Sequence, residues 1–183
     1  MKDEIKDGPY EEYQDNDELR EKGTYKDGKK DGPYETYYNN DELREKGTYK
    51  DGKKDGLCEE YIEGQLREKG TYKDGWRDGL WETYHDGDVM YRRTYKDGEL
   101  DGPFERYYFD GEVKKRGTYK DGKLDGLLED YYDWSRKLWI SSNYKDGVYD
   151  GPYETYYNNG QLEVKKIYKD GELNGPLEPY IRH

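Results

Sequence analysis

The sequence predicts an all-β fold: an elongated, single-layer antiparallel meander of stacked β-hairpins, about fifteen strands in all. Two observations carry this. First, the seven-residue unit Asp31-Gly32-Pro33-Tyr34-Glu35-Thr36-Tyr37 has counterparts beginning at Asp7, Asp55, Asp78, Asp101, Asp125, Asp150 and Asn174, at steps of 23 to 25 residues. Second, a unit like Tyr49-Lys50-Asp51-Gly52 alternates with it, recurring from Tyr25, Tyr72, Tyr95, Tyr119, Tyr144 and Tyr168. Both units are rich in Tyr and Thr, alternate in character and are punctuated by Asn-Gly or Asp-Gly, the signals of short strands joined by tight turns. A period near 24 residues holds two strands and two turns, which is one hairpin per repeat. Residues 1–183 therefore read as a single repeat domain, seven repeats and a C-terminal half repeat, with starts near 7, 31, 55, 78, 101, 125, 150 and 174.

Composition makes sense only through this order. Leu, Ile, Val and Phe together number 24 of 183 residues, and the mean hydropathy is -1.57. Such a chain cannot build a conventional core and would read as disordered on amount alone. The 24 tyrosines and 23 glycines contradict that reading. Disordered segments are poor in aromatics, whereas a ladder of tyrosines lying against glycines of neighbouring strands stabilises a sheet through many pairs of roughly 0.2 to 1 kcal/mol each.

The turns fix an expected register. With Asn159-Gly160 as a two-residue turn, Tyr157 faces Leu162, Tyr156 faces Glu163 and Glu154 faces Lys165; by analogy Glu35 faces Lys46. With Asp27-Gly28 as a tight turn, Tyr25 faces Lys30, Gly23 faces Gly32 and Arg20 faces Glu35. Alternation then assigns Tyr34, Thr36, Tyr38, Leu43, Gly47 and Tyr49 to an aromatic face. Pro33, Glu35, Tyr37, Arg44, Lys46 and Thr48 fall on a charged face. Pro179, in a slot held elsewhere by polar residues, lacks the N–H a further strand would need and reads as an edge cap.

The repeated Asp-Gly-Pro-Tyr-Glu-Thr-Tyr-Tyr-Asn-Asn-Gly-Gln-Leu pattern, followed by Tyr-Lys-Asp-Gly-Glu-Leu-Asn-Gly, resembles the MORN repeat, especially its bacterial variant, over about residues 5 to 181. The resemblance implies stacked hairpins. Bacterial proteins of this kind are often placed in the YwqK-type antitoxin family, which implies a binding or neutralising protein, whereas eukaryotic MORN proteins are associated with membranes, lipids and scaffolding. The sixth repeat departs from the pattern at Asp133-Trp134-Ser135-Arg136-Lys137, which has no turn glycine.

Charge and chemistry narrow the function. With 32 Lys and Arg against 44 Asp and Glu the net charge is -12, which disfavours direct nucleic-acid or anionic-membrane binding and favours a basic protein partner. Cys58 is the only cysteine, so neither an intrachain disulfide nor a cysteine-rich metal site is available. No apolar leader follows Met1 and no run of 18 apolar residues occurs, so the chain reads as soluble and cytoplasmic. Histidine occurs only at His85 and His183, outside any triad or metal spacing. The glutamates recurring from Glu11 to Glu178 come once per repeat, as cross-strand partners and not as a catalytic pair. No enzyme, cofactor or metal is expected.

Departures from the repeat are where function is expected. Cys58 and Trp81 fill the Tyr34 slot and read as packing. Trp76 stands just after a turn, where other repeats have Lys29, Lys53, Glu99 or Lys123, and Trp134 and Trp139 flank the irregular turn of repeat six. His85, Met90, Tyr91, Arg92 and Arg93 break the pattern of repeat four. The predicted protein-binding residues are therefore Trp76, His85, Tyr91, Arg92, Arg93, Trp134 and Trp139. The expected function is non-enzymatic protein binding: an antitoxin, immunity protein or inhibitor that covers a basic surface of a toxin or nuclease-like partner. A scaffold or surface repeat protein binding peptide, glycan or lipid is the alternative.

Overall fold

A computed structural model describes residues 6–15 and 17–175; Glu178, Pro179 and His183, and with them the edge-cap reading, lie outside the described residues. Every regular element among the described residues is a β-strand, and no helix there is long and apolar enough to cross a membrane. By its contacts the chain divides into two units. The first takes the described residues up to Gly87 with Tyr95–Gly98, the second Asp88–Thr94 with the described residues from Glu99 onward.

The first unit is built from β1 (Gly8–Tyr13), β2 (Leu19–Lys26), β3 (Lys29–Lys30), β4 (Gly32–Tyr37), β5 (Leu43–Lys50), β6 (Lys53–Lys54), β7 (Gly56–Ile62), β8 (Gln65–Lys73) and β9 (Trp76–His85). The next strand, β10 (Asp88–Lys96), gives its last two residues to this unit and the rest to the second. The second unit continues with β11 (Glu99–Tyr107), β12 (Val113–Lys120), β13 (Lys123–Leu124), β14 (Gly126–Tyr131), β15 (Leu138–Lys145), β16 (Val148–Tyr156), β17 (Leu162–Lys169) and β18 (Glu172–Leu173). Within each unit successive strands pair antiparallel in chain order, as a meander of hairpins does. Three of the short elements, β3, β6 and β13, are the opening segments of β4, β7 and β14, cut off by one residue each. Counted as continuous arms, the strands among the described residues number fifteen, as the period predicts.

The interruption is a built irregularity. At Asp31 the backbone N–H donates to the Thr24 carbonyl at 2.9 Å, and Gly32 takes φ 103°, a conformation open to glycine. Across this step the register moves by two. Tyr25 faces Lys30 as expected, but Glu35 then faces Lys22, not Arg20, so the same shift takes Gly23 out of register with Gly32. The turn chemistry alone carries no sign of this bulge.

The other hairpin end differs too. Tyr157 donates its N–H to the Gln161 carbonyl and accepts from the N–H of Gly160, so the loop holds three residues, with Gly160 at φ 89°. Three-residue loops of this kind are a standard solution in which the left-handed residue starts a bulge. Tyr156 consequently faces Leu162, and Glu163 is the extra residue. From Thr155↔Val164 onward the predicted register is regained and Glu154 faces Lys165. The same step at Thr36/Tyr37 brings Leu43 opposite Tyr37, moving it off the aromatic face on which alternation had placed it.

The core is a sheet face, not a layer between elements. Tyr34, Cys58 and Trp81 are each 2 % exposed, in the same slot of successive repeats, and Leu128 is buried in the equivalent slot of the second unit. Aromatic rings in this slot sit over a glycine of the neighbouring strand: Tyr10 over Gly23, Tyr34 over Gly47, Trp81 over Gly70, Phe104 over Gly117. The second tyrosine series packs alongside, with Tyr10–Tyr25 centroids 4.6 Å apart and Tyr34–Tyr49 centroids 4.2 Å apart.

Candidate protein-binding site

The two faces of the sheet carry different chemistry. On the aromatic face of the first unit, carboxylates that the sequence pattern left unplaced are tucked among the rings. Glu21 accepts from the Tyr10 hydroxyl at 2.5 Å and pairs with Lys30 at 2.5 Å. One repeat on, Glu45 is buried, accepts from the Tyr34 hydroxyl, and pairs with Lys54 at 2.5 Å. In the next repeat Arg77 grips Glu68 through two nitrogens, at 3.1 and 2.5 Å, while its guanidinium carbon lies 3.9 Å from the Trp81 ring centroid. The signal was present in the sequence as a cation nine residues after each of these glutamates.

Glu45, Cys58 and Glu60 offer ligand atoms within 4.8 Å of one another. Burial and the Glu45 charge push the Cys58 thiol up to about 12, so it stays protonated, and Lys54 already neutralises Glu45. Cys58 is a packing residue in the Tyr34 slot. Burial, Glu68 and Glu45 also hold the Glu60 carboxyl above its ordinary range.

The charged face runs as an alternating ladder. Across β1, β2, β4, β5, β7, β8 and β9 the opposed residues are Glu11, Lys22, Glu35, Lys46, Glu59, Lys69 and Glu82. Lys22–Glu35 and Lys46–Glu59 close at 2.7 Å, Lys69–Glu82 at 3.0 Å. Each glutamate also accepts from a tyrosine two residues on: Tyr13, Tyr37, Tyr61 and Tyr84 in this unit, Tyr107, Tyr131 and Tyr156 in the second. The lysine and tyrosine bonds hold Glu35 and Glu59 below the usual carboxylate range. This is the structural role expected of the recurring glutamates. Beside the ladder lies a groove of about 540 Å³, lined by Pro9, Pro33, Leu57, Thr24 and Thr48 with Glu11, Lys22, Glu35, Lys46 and Glu59 along one side.

The residues singled out by their departure from the repeat fall into separate places. In the first unit, Trp76 is 63 % exposed at the start of β9, its ring covering Gly98 so closely that a Cβ there would come within 2.7 Å. His85 ends the same strand, with Nδ1 3.1 Å from Asp86. In the second unit, Arg92 donates to the Tyr107 hydroxyl at 3.1 Å, whereas Tyr91 lies under Arg93 and Arg106, with guanidinium-to-ring distances of 4.6 and 5.5 Å. Consecutive strand residues face opposite ways, so this trio is divided between two faces.

Besides Tyr91 with Arg93, Trp134 and Trp139 come together. Both pack on Tyr132, with centroids 5.2 and 5.9 Å away, and they remain 72 % and 42 % exposed. The loop before Trp139 has Arg136, at φ 60°, where other repeats use glycine or, as Asp17 and Asp41, aspartate. Its guanidinium stacks 3.6 Å from the Tyr108 ring centroid and pairs with Asp110 at 2.8 Å, and exposed Phe109 stands beside these partners in the chain. Sequence reasoning found both tryptophans but not Tyr108, Phe109, Tyr132 and Arg136, which complete the patch. Two of the three tyrosine and arginine members occupy ordinary repeat slots and carry no mark in the pattern.

Four stretches of the chain match the MORN repeat variant. They are residues 6–27, 30–51, 100–121 and 149–170. Each MORN stretch spans parts of two successive hairpin arms and ends at or just before the glycine of an Asp-Gly turn. The stretches left between them, 52–99 and 122–148, hold Cys58, Trp76, Trp81, His85, Tyr91, Arg92, Arg93, Trp134 and Trp139. The departures thus cluster where the MORN pattern is weakest. No curated protein matches the chain.

Proposed function

We propose that the chain is a non-enzymatic protein-binding module, an antitoxin, immunity protein or other inhibitor that works in the cytoplasm by covering a basic functional surface of a toxin or nuclease-like partner. MORN repeats suggest a repeat-based binding module. The observation that carries the reading further is the patch formed by Tyr132, Trp134 and Trp139 with Arg136 and Tyr108, which leaves two tryptophans open to solvent in a chain of net charge -12. Exposed aromatics flanked by arginine are preferred interface anchors, and an acidic molecule is steered to basic partners.

A tagged pull-down from source-cell lysate at low and moderate salt, followed by mass spectrometry, tests this. One dominant basic protein released by salt is the expected result. Replacing Trp134 and Trp139 together by Ala should weaken that complex by about 2 kcal/mol or more, with the melting temperature of the free protein little changed. Unchanged affinity would remove the patch from the interface, and recovery of no specific protein would sink the inhibitor reading.

A further inference from the structure

We propose that the groove on the charged face of the first unit seats a polyproline II segment carrying an apolar residue at every third position. The inference rests on the protein-binding reading above only for the sign of the partner's charge; the shape argument is independent of it. Pro9, Pro33, Leu57 and Leu80 recur on this face once every two strands, with the prolines exposed and the leucines 57 % and 51 % exposed. Threonines separate them, since Pro9 faces Thr24, Pro33 faces Thr48 and Leu57 faces Thr71. The result is an apolar step about every 9.6 Å, twice the spacing between strands.

Three extended or helical partners can be compared with that step. A β-strand repeats its side chains on one face about every 6.6 Å, and the strands beneath the groove already use their backbone groups in pairing. A helix returns to the same face after seven residues, about 10.5 Å, and misses the steps from Pro9 to Leu57, which bound the groove, by about 2 Å in total. Polyproline II returns after three residues, about 9.3 Å, and stays within about 1 Å over the same length. Polyproline II also leaves its carbonyls without internal partners, and Thr24 and Thr48, whose side chains can donate, are among the groove's lining residues. The arrangement recurs in the second unit, where Pro103, Leu127 and Thr118 line a smaller hollow of about 190 Å³.

The test is fluorescence anisotropy of the full chain with three labelled twelve-residue peptides, (Pro-Pro-Arg)4, (Pro-Pro-Gln)4 and (Gly-Ser-Arg)4, and an alanine-rich helical peptide of equal charge. Both proline peptides should bind, the arginine form more tightly, and the flexible peptide about tenfold or more weaker. Leu57→Lys, which puts a charge on the groove lining, should weaken the proline peptides by about tenfold. Amide shifts in the unaltered protein, expected at Thr24, Thr48 and Leu57, give a readout that does not depend on the variant folding. Equal binding of the flexible peptide, preference for the helix, or shifts elsewhere would overturn the proposal. If (Pro-Pro-Gln)4 bound as well as (Pro-Pro-Arg)4, the groove assignment would stand and the basic-partner reading would fall. If neither bound, the groove assignment would fall, and the pull-down would still decide the wider reading.

Discussion

Gly70 shows how much of the fold rests on one absent side chain. A Cβ placed there would lie 2.2 Å from the Trp81 ring, which is 2 % exposed and gripped on its other flank by Arg77. Gly70→Ala should cost about 1 to 3 kcal/mol by overpacking, and Trp81→Ala about 3 to 5 kcal/mol by leaving a void. In the Trp81→Ala background the alanine at 70 should cost far less, so a urea-melting double-mutant cycle checks the contact directly. Glu60 makes the opposite case. Its cross-strand neighbours are Glu45 and Glu68, and its carboxyl is raised by burial and by those charges. A carboxyl held more tightly protonated in the folded state costs stability above its folded value and nothing once both states are protonated. Glu60→Gln should therefore stabilise the protein at pH 7 by a few tenths to about 1 kcal/mol, the gain fading as the pH falls toward 4. Trp81 was readable as packing because it fills a tyrosine slot. Glu45 and Glu60 share that face by simple alternation, two residues from Gly47 and Cys58, but their facing each other was not readable, because the register between β5 and β7 is set by a bulge.

At the scale of the hairpin, the Asp-Gly turns are legible and the bulges are not. Asp27, Asp51, Asp74, Asp97, Asp121, Asp146 and Asp170 all lie at φ between 47° and 52°, each followed by a glycine also at positive φ, the two-residue turn the dipeptide predicts. Asp tolerates this region better than Ala, so Asp74→Ala should cost about 1 kcal/mol while Asp74→Gly or Asp74→Asn stays near neutral in chemical denaturation. Tyr25↔Lys30 and Glu154↔Lys165 follow from the turns. The partner of Glu35 does not, because Asp31 and Gly32 insert a step that swaps Arg20 for Lys22. That step is set by backbone conformation at a dipeptide spelled the same way as the true turns, so composition cannot tell the two apart.

Over the molecule as a whole, low hydrophobicity is balanced by charge order. Glu35, Glu59 and Glu154 sit below their usual range because a lysine and a tyrosine bond their ionised form, and Asp150 does so through Lys169. Groups lowered in the folded state contribute stability above their unfolded values and lose it as pH falls through the folded ones. The thermal midpoint should therefore hold between pH 7 and about 5 and drop steadily below about 4, by circular dichroism. A midpoint that rose on acidification would mean that repulsion among the excess carboxylates outweighs the ladder. The repeat period exposed the fold and the two solvent-open tryptophans of repeat six. The rest of their patch stayed hidden because tyrosines that hold the sheet and tyrosines that face a partner are the same residue in the same slot.

The turns also tie one repeat to the next. The N–H of Asp74 donates to the Asp55 carboxylate at 3.2 Å and that of Gly75 to the Lys54 carbonyl at 2.8 Å; the same two bonds secure the turns at Asp27, Asp51, Asp121, Asp146 and Asp170, and the glycine bond that at Asp97. In each, the accepting group lies about twenty positions earlier in the chain. A polypeptide leaving the ribosome N-terminus first would thus present every new turn with its anchor already made. Assembly can follow synthesis one hairpin at a time, and a nascent chain stalled between repeats would carry a finished set of hairpins with a single ragged end.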